Sequence, residues 1–144
     1  MTSAERWTVM LLRVVGAGCL LAIVGVLMPV DWMDAAHEHL LEQPLPRGPV
    51  VDYLARSVSV LYMVVGGLMI LVSFNPTRYR AIVLYLAYVF LVLGAAVLVI
   101  DLINALPWWW TYPEGLGTLA VGVLLLILQR NVARAPQGGG ADDD

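Results

Sequence analysis

Four long apolar runs alternate with short polar segments along the chain. The runs cover about residues 9–28, 50–74, 81–100 and 112–128. A helix needs about 20 apolar residues to cross roughly 30 Å of hydrocarbon. The fourth apolar stretch proper, Leu116 to Leu128, has only 13 residues, so it must borrow part of the preceding aromatic segment or lie where the bilayer thins locally. Pro113 and Gly115, just before it, predict a turn. The pattern predicts an all-α integral membrane fold in which residues 1–134 form one antiparallel four-helix transmembrane bundle.

A tight hinge joins the second and third runs. Asn75 suits the N-cap of a helix, and Pro76 suits the first helical position, where a missing N–H costs nothing. Arg78 and Arg80 follow directly and mark one side of the membrane. The hinge therefore predicts a helical hairpin.

Residues 31–43 predict a short outer amphipathic helix. Its apolar stripe recurs at helical spacing and consists of Met33, Ala36, Leu40 and Leu41. An acidic stripe of Asp34, Glu38 and Glu42 lies opposite. Asp31 suits the N-cap, and Pro44 ends the helix. Because the apolar stripe is too short to cross a membrane, we expect this helix to lie on the membrane surface or over the mouth of the bundle.

The arginines predict the orientation. Two of the eight, Arg47 and Arg56, fall at one set of helix ends, and six fall at the other: Arg6, Arg13, Arg78, Arg80, Arg130 and Arg134. Cytoplasmic loops carry an excess of basic residues. We therefore expect a bacterial inner-membrane protein with both termini in the cytoplasm and an acidic outer face. Residues 135–144, rich in glycine and aspartate, predict a disordered acidic tail.

Composition narrows the class of protein. The chain is 60% hydrophobic and only 13% charged, whereas about a quarter of the residues in a soluble domain are charged. No phosphate-binding glycine loop, nucleophile elbow or basic patch for nucleic acid stands out. We expect no cofactor and no nucleic-acid partner. The expected partners are the lipid bilayer and either a larger membrane complex or further copies of the chain.

The sharpest candidate site is a polar cluster at the outer ends of the predicted spans. Its members are Asp52, Arg56, Asp101, Asn104 and Glu114. Arg56 shares a helical face with Gly66, and Asp101 shares one with Gly94, so the two faces are predicted to meet and to pair Arg56 with Asp101. The cluster would be either a small pocket for a polar group or a clasp that holds the bundle mouth closed. Asp52 and Arg56 could also pair within one helix.

Two further groups invite a functional interpretation. His37 and His39 could bind a metal, but residues two apart on a helix point to nearly opposite sides, which makes them weak ligands together. The aromatic residues at the predicted outer boundary indicate an interface belt: Trp32, Trp108, Trp109, Trp110 and Tyr112.

The second and third runs resemble small four-helix bacterial membrane families, including DoxX-like proteins. The resemblance covers roughly residues 50–100 and is carried by Arg56, Tyr62, Gly67, Arg78 and Arg80. It implies a four-helix membrane fold and hints at a redox role. We expect a non-catalytic accessory or interaction protein; the alternatives are a redox-associated or quinone-interacting subunit and a small-solute carrier.

Overall fold

The fold is described by a computed structural model covering residues 2–41 and 48–134. The predicted acidic tail at 135–144, and positions 42 and 43 of the predicted surface helix, lie outside the described residues. Over the described ranges every regular element is helical. In chain order these are α1 (Ser3–Leu20), α2 (Ile23–Leu27), α3 (Val30–Leu41), α4 (Pro49–Ser73), α5 (Arg80–Ile103), α6 (Trp108–Thr111), a π-helical turn (Tyr112–Leu116) and α7 (Gly117–Arg134).

Four of the helical segments are long and apolar enough to cross a membrane, which confirms that part of the prediction. They are Ser3–Leu27, Pro49–Ser73, Arg80–Ile103 and Trp108–Ala133. The fourth includes the aromatic segment, which is the first of the two alternatives predicted for its short apolar run. Between 11% and 28% of each span's most apolar window is buried inside the protein. The remaining apolar surface faces outward, which suits a hydrocarbon surrounding.

Side chains cap the backbone at the start of α1 and in the hinge before α5. Thr2 and Glu5 form a reciprocal capping box: the Glu5 carboxylate accepts from Thr2 N at 2.8 Å, and Thr2 Oγ1 accepts from Glu5 N at 3.2 Å. At the hinge, Asn75 Oδ1 accepts from Arg78 N at 3.0 Å. Asn75 therefore caps the turn that leads into α5, although the regular helix begins only at Arg80.

One compact unit comprises residues 12–41 and 48–71 among those described, which hold half of α1, all of α2 and α3, and most of α4. Glycines bring α1 and α4 together. A Cβ built on Gly66 would lie 2.6 Å from the Gly16 carbonyl oxygen and 2.9 Å from Cys19 Cβ. At the other end of the pair, a Cβ on Gly25 would lie 2.7 Å from Ser59 Oγ. Later residues of one segment thus contact earlier residues of the other.

The other compact unit comprises residues 2–11 and 72–134 among those described. Here α5 packs on α7 through a second set of glycines. A Cβ on Gly94 would lie 2.6 Å from Leu119 N, and one on Gly122 would lie 2.8 Å from the Ala87 carbonyl oxygen. Small residues of this kind let helix backbones approach closely in membranes. In this pair too, later residues of one helix contact earlier residues of the other.

The segment around Pro113 and Gly115 differs from the sequence expectation. These residues predict a turn, but the helix continues through them from Trp108 to Arg134 by way of the π-helical turn. Pro113 has no N–H to donate, and a wider turn accommodates that loss without ending the helix. The Thr118 hydroxyl donates to the Glu114 carbonyl oxygen at 2.6 Å and helps to satisfy it.

Helix α3 follows its predicted apolar stripe only in part. Its half-buried residues are Met33, Asp34 and His37, whereas Ala36 and Leu40 of the predicted apolar stripe are exposed. The helix also begins at Val30, so Asp31 lies in its first turn rather than at the N-cap. That α3 rests on a membrane surface stays a prediction.

Candidate functional site

Arg56 is the centre of a polar network at one end of the α1–α4 pair. Its Nε donates to Asp52 Oδ1 at 2.8 Å, one helical turn away on α4. Its Nη1 donates to the carbonyl oxygen of Val26, and its Nη2 donates to that of Met28 at 3.2 Å. The guanidinium thus uses its fork of donors on one carboxylate and two backbone carbonyls.

The position of those carbonyls explains the network. Val26 and Met28 lie at the carbonyl end of α2, just before Pro29, which has no N–H to continue the helix. The last carbonyls of a helix have no partner within it, and they form the negative end of the helix dipole. A cation that donates hydrogen bonds to these carbonyls satisfies them and also interacts favourably with the negative end of the dipole. Arg56 therefore caps the end of the first candidate span.

Asp101 lies in the last turn of α5, in the other unit. It lies on the packed face of α5, together with Ala87 and Gly94, and is only 4% exposed. Among the described residues no donor reaches its Oδ2. A buried carboxylate oxygen without a partner is costly, and here it also lies in the last turn of a helix, where the dipole disfavours negative charge.

The chain just after Asp101 ends α5 in a Schellman motif. Leu106 N donates to the Asp101 carbonyl oxygen at 3.0 Å, and Ala105 N donates to that of Leu102 at 3.2 Å. This geometry requires a left-handed residue, and Ala105 adopts it with φ of 51°. The helix thus ends before Pro107, which instead precedes α6.

Asn104 and Glu114 make local bonds. Asn104 Nδ2 donates to the Ile100 carbonyl oxygen at 2.8 Å. Glu114 accepts from the indole Nε1 of Trp110 at 2.5 Å, across the π-helical turn. Both predicted cluster residues therefore help to shape the ends of α5 and α7.

The two glycine faces were predicted to meet, but each packs against a different helix. The Gly66 face of α4 packs against α1, and the Gly94 face of α5 packs against α7. Each face is thus occupied within its own unit. The pairing of Arg56 with Asp101 stays a prediction.

The predicted histidines and aromatic residues differ in exposure and packing. His37 is half-buried and His39 is exposed. Within residues 2–41 and 48–134 no three His, Cys, Asp or Glu residues come together as a metal site would require. Trp32 and Trp108 are 69% and 73% exposed, as an interface belt requires, and Trp109 packs edge-on against Trp110 with ring centroids 5.9 Å apart.

A polar group that the sequence analysis did not single out lies at the opposite end of the α5–α7 pair. Glu5 Oε1 accepts from the Thr77 hydroxyl at 3.2 Å, and Thr8 and Gln129 are both almost fully buried nearby. These residues line a small shared cleft together with Pro76. The sequence signal for Glu5 was its position three residues after Thr2, which is typical of a capping box.

Comparison with protein-family models, with curated proteins and with solved structures finds no match for this chain. The resemblance to DoxX-like proteins therefore stays a hypothesis.

Proposed function

We propose that this chain is a four-span protein of the bacterial inner membrane that acts as a non-catalytic accessory or interaction protein. In this proposal its four long helices form one antiparallel bundle with both termini in the cytoplasm. The length and apolar character of the helices and the placement of the arginines support the topology. The partner would be a transmembrane helix of another protein.

One outward face of α5 carries this proposal. Tyr85, Tyr88 and Val92 lie at helical spacing and are 66%, 58% and 71% exposed. At 1.5 Å per residue, Tyr88 lies about 12 Å along the axis from Arg80, which is well inside the hydrocarbon if Arg80 marks the boundary. A tyrosine hydroxyl in hydrocarbon is costly unless it finds a hydrogen-bond partner.

A neighbouring transmembrane helix would supply hydrogen-bond partners for the tyrosine hydroxyls of this face. Polar side chains and hydrogen bonds between helices contribute to association in membranes, where apolar contact alone gives little preference over lipid. Tyrosine also offers a large apolar ring beside its hydroxyl, which suits interfaces. The Arg56 network, by contrast, is used within the fold, so the outward α5 face is the better candidate for recognition.

The test places a photo-crosslinking amino acid at Val92 in the native membrane. We expect one discrete protein adduct that is lost in the Tyr85→Phe/Tyr88→Phe double variant. A crosslinker at Leu61, exposed on α4, is the matched control and should yield lipid adducts only. Identical products from Val92 and Leu61 would rule out this face as the recognition surface. An adduct of twice the chain mass would identify the partner as a second copy.

A further inference from the structure

The environment of Asp101 points to a bound cation. No basic residue occurs between Arg80 and Arg130, a stretch that contains α5, α6 and the π-helical turn. The two charged residues within it are Asp101 and Glu114, both acidic. No side chain of this stretch can therefore neutralise the buried Asp101 carboxylate.

We propose that Asp101 binds an alkylammonium group, the cationic group of organic amines and of ethanolamine lipid headgroups. The Oδ2 atom is a buried acceptor with no donor among the described residues. An ammonium group supplies both a positive charge and N–H donors. The end of α5 adds to the attraction, because cations are stabilised near the negative end of a helix dipole.

The surroundings favour an organic ammonium over a metal ion. Calcium typically takes six to eight oxygen ligands, and zinc sites use several His, Cys or carboxylate side chains. The described residues bring no such set together at Asp101. A single buried carboxylate instead suits a group that has one charged end and a carbon chain.

The path from the protein surface to Asp101 is short and passes the aromatic residues of α6. Asn104 and Ala105 are exposed and lie one helical turn beyond Asp101, about 5 Å along the axis. The contacts of Gly94 with Leu119 and of Leu98 with Gly115 place Asp101 level with Tyr112, next to the aromatic α6. Tryptophan rings attract cations over their faces. An ammonium group entering from this end would thus pass α6 on its way to the carboxylate.

The experiment measures thermal unfolding of the full chain in an uncharged detergent. Butylammonium chloride is titrated against sodium chloride at equal ionic strength. We expect a rise in Tm with butylammonium that saturates, as binding to the folded state requires. The Asp101→Asn variant should bind about tenfold more weakly or worse, since a charge-assisted hydrogen bond is lost. The Glu114→Gln variant is the matched carboxylate control and should respond like the parent.

The same experiment gives results that would overturn the proposal. Equal shifts with sodium and butylammonium, or an unchanged butylammonium response in Asp101→Asn, would exclude an ammonium site at this residue. Should Asp101→Asn fail to fold, Asp101→Ser gives a second uncharged variant. A butylammonium response that is absent from the parent and appears in Arg56→Leu would show that Arg56 is the partner of Asp101 and that no ligand is needed.

Lipid analysis separates the two sources of the ammonium group. The chain is purified from membranes of mixed ethanolamine and glycerol phospholipids. Enrichment of the ethanolamine lipid on the parent chain, but not on Asp101→Asn, identifies the headgroup as the ligand. Butylammonium binding without that enrichment identifies a free amine.

Discussion

Ala105 holds a backbone conformation that its side chain disfavours. Its φ of 51° lies in the left-handed region, which costs an L-residue roughly 1–2 kcal/mol. The Schellman motif at the end of α5 requires this conformation, and glycine is the usual residue there. The free-energy cost of this conformation is confined to Ala105, and a substitution there can remove it.

We predict that Ala105→Gly raises the free energy of unfolding by about 1 kcal/mol, because glycine adopts positive φ without strain. Denaturation in mixed micelles measures the change. Ala96, exposed in the middle of α5, is the matched control, and Ala96→Gly should lower stability by about 1 kcal/mol. Equal losses at both positions would show that the motif at Ala105 is absent.

Arg56 differs from a surface ion pair because most of its bonds reach backbone. An exposed ion pair contributes about 0–1 kcal/mol, whereas each buried carbonyl left without a donor costs about 1–3 kcal/mol. We predict that Arg56→Leu lowers the free energy of unfolding by about 2 kcal/mol or more. Asp52→Asn keeps an oxygen acceptor for Arg56 Nε and should cost less than about 1 kcal/mol. Comparable losses from both changes would make the ion pair, rather than the carbonyl cap, the main interaction.

At the scale of the elements, adjacent glycines on α4 serve opposite purposes. Gly66 is buried against α1, where an added Cβ would lie 2.6 Å from the Gly16 carbonyl oxygen. Gly67 faces outward, with open space around the position of a Cβ. The two positions share the same helix and nearly the same depth, so they differ mainly in packing.

We predict that Gly66→Ala lowers stability and that Gly67→Ala raises it, the latter by up to about 1 kcal/mol from helix propensity. The Gly66 change forces α1 and α4 apart and also disturbs their contact at Cys19. Detergent thermal unfolding of the two variants side by side provides the measurement. A gain in stability at both positions would show that α1 and α4 do not pack through Gly66.

The sequence predicts the helices better than it predicts which residues contact one another. The four spans, the capping role of Asn75 and the exposure of Trp32 and Trp108 follow from hydrophobicity and local chemistry, which the chain carries in consecutive residues. The pairing of Arg56 with Asp52 was among the predicted alternatives and is confirmed. The other two partners of Arg56 were missed because they are backbone carbonyls, and carbonyls have no sequence signal. The glycine faces of α4 and α5 were recognised as packing faces, but a glycine does not specify which neighbouring helix it contacts.

The helix through Pro113 was missed for a related reason. Proline and glycine close together usually indicate a turn. A π-helical turn absorbs the missing N–H of Pro113 instead, and this choice depends on the packing of α5 against Gly115, where a Cβ would lie 2.9 Å from Leu98 Cβ. Such a tertiary contact overrides the local preference.

At the scale of the whole molecule, orientation is the property that the arginines predict most directly. Six of the eight lie at one set of helix ends, and Arg134 is the last of them. We predict that a reporter fused after Arg134 is active in the cytoplasm, because basic segments are retained on that side. A fusion within the segment after α3 should show periplasmic activity. The reverse pattern would invert the topology and would place Asp101 at the cytoplasmic side.

The π-helical turn at Tyr112–Leu116 also acts as a phase shift in the register of the fourth span. Such a turn corresponds to one extra residue, and one residue turns an α-helix by about 100°. Removing a single codon here would leave Leu119 and Gly122 in phase with α5 while turning Trp108, Trp109 and Trp110 to another side of the helix axis. The direction of the tryptophans and the packing of α7 can therefore vary independently, and a one-residue difference in length is enough to separate them.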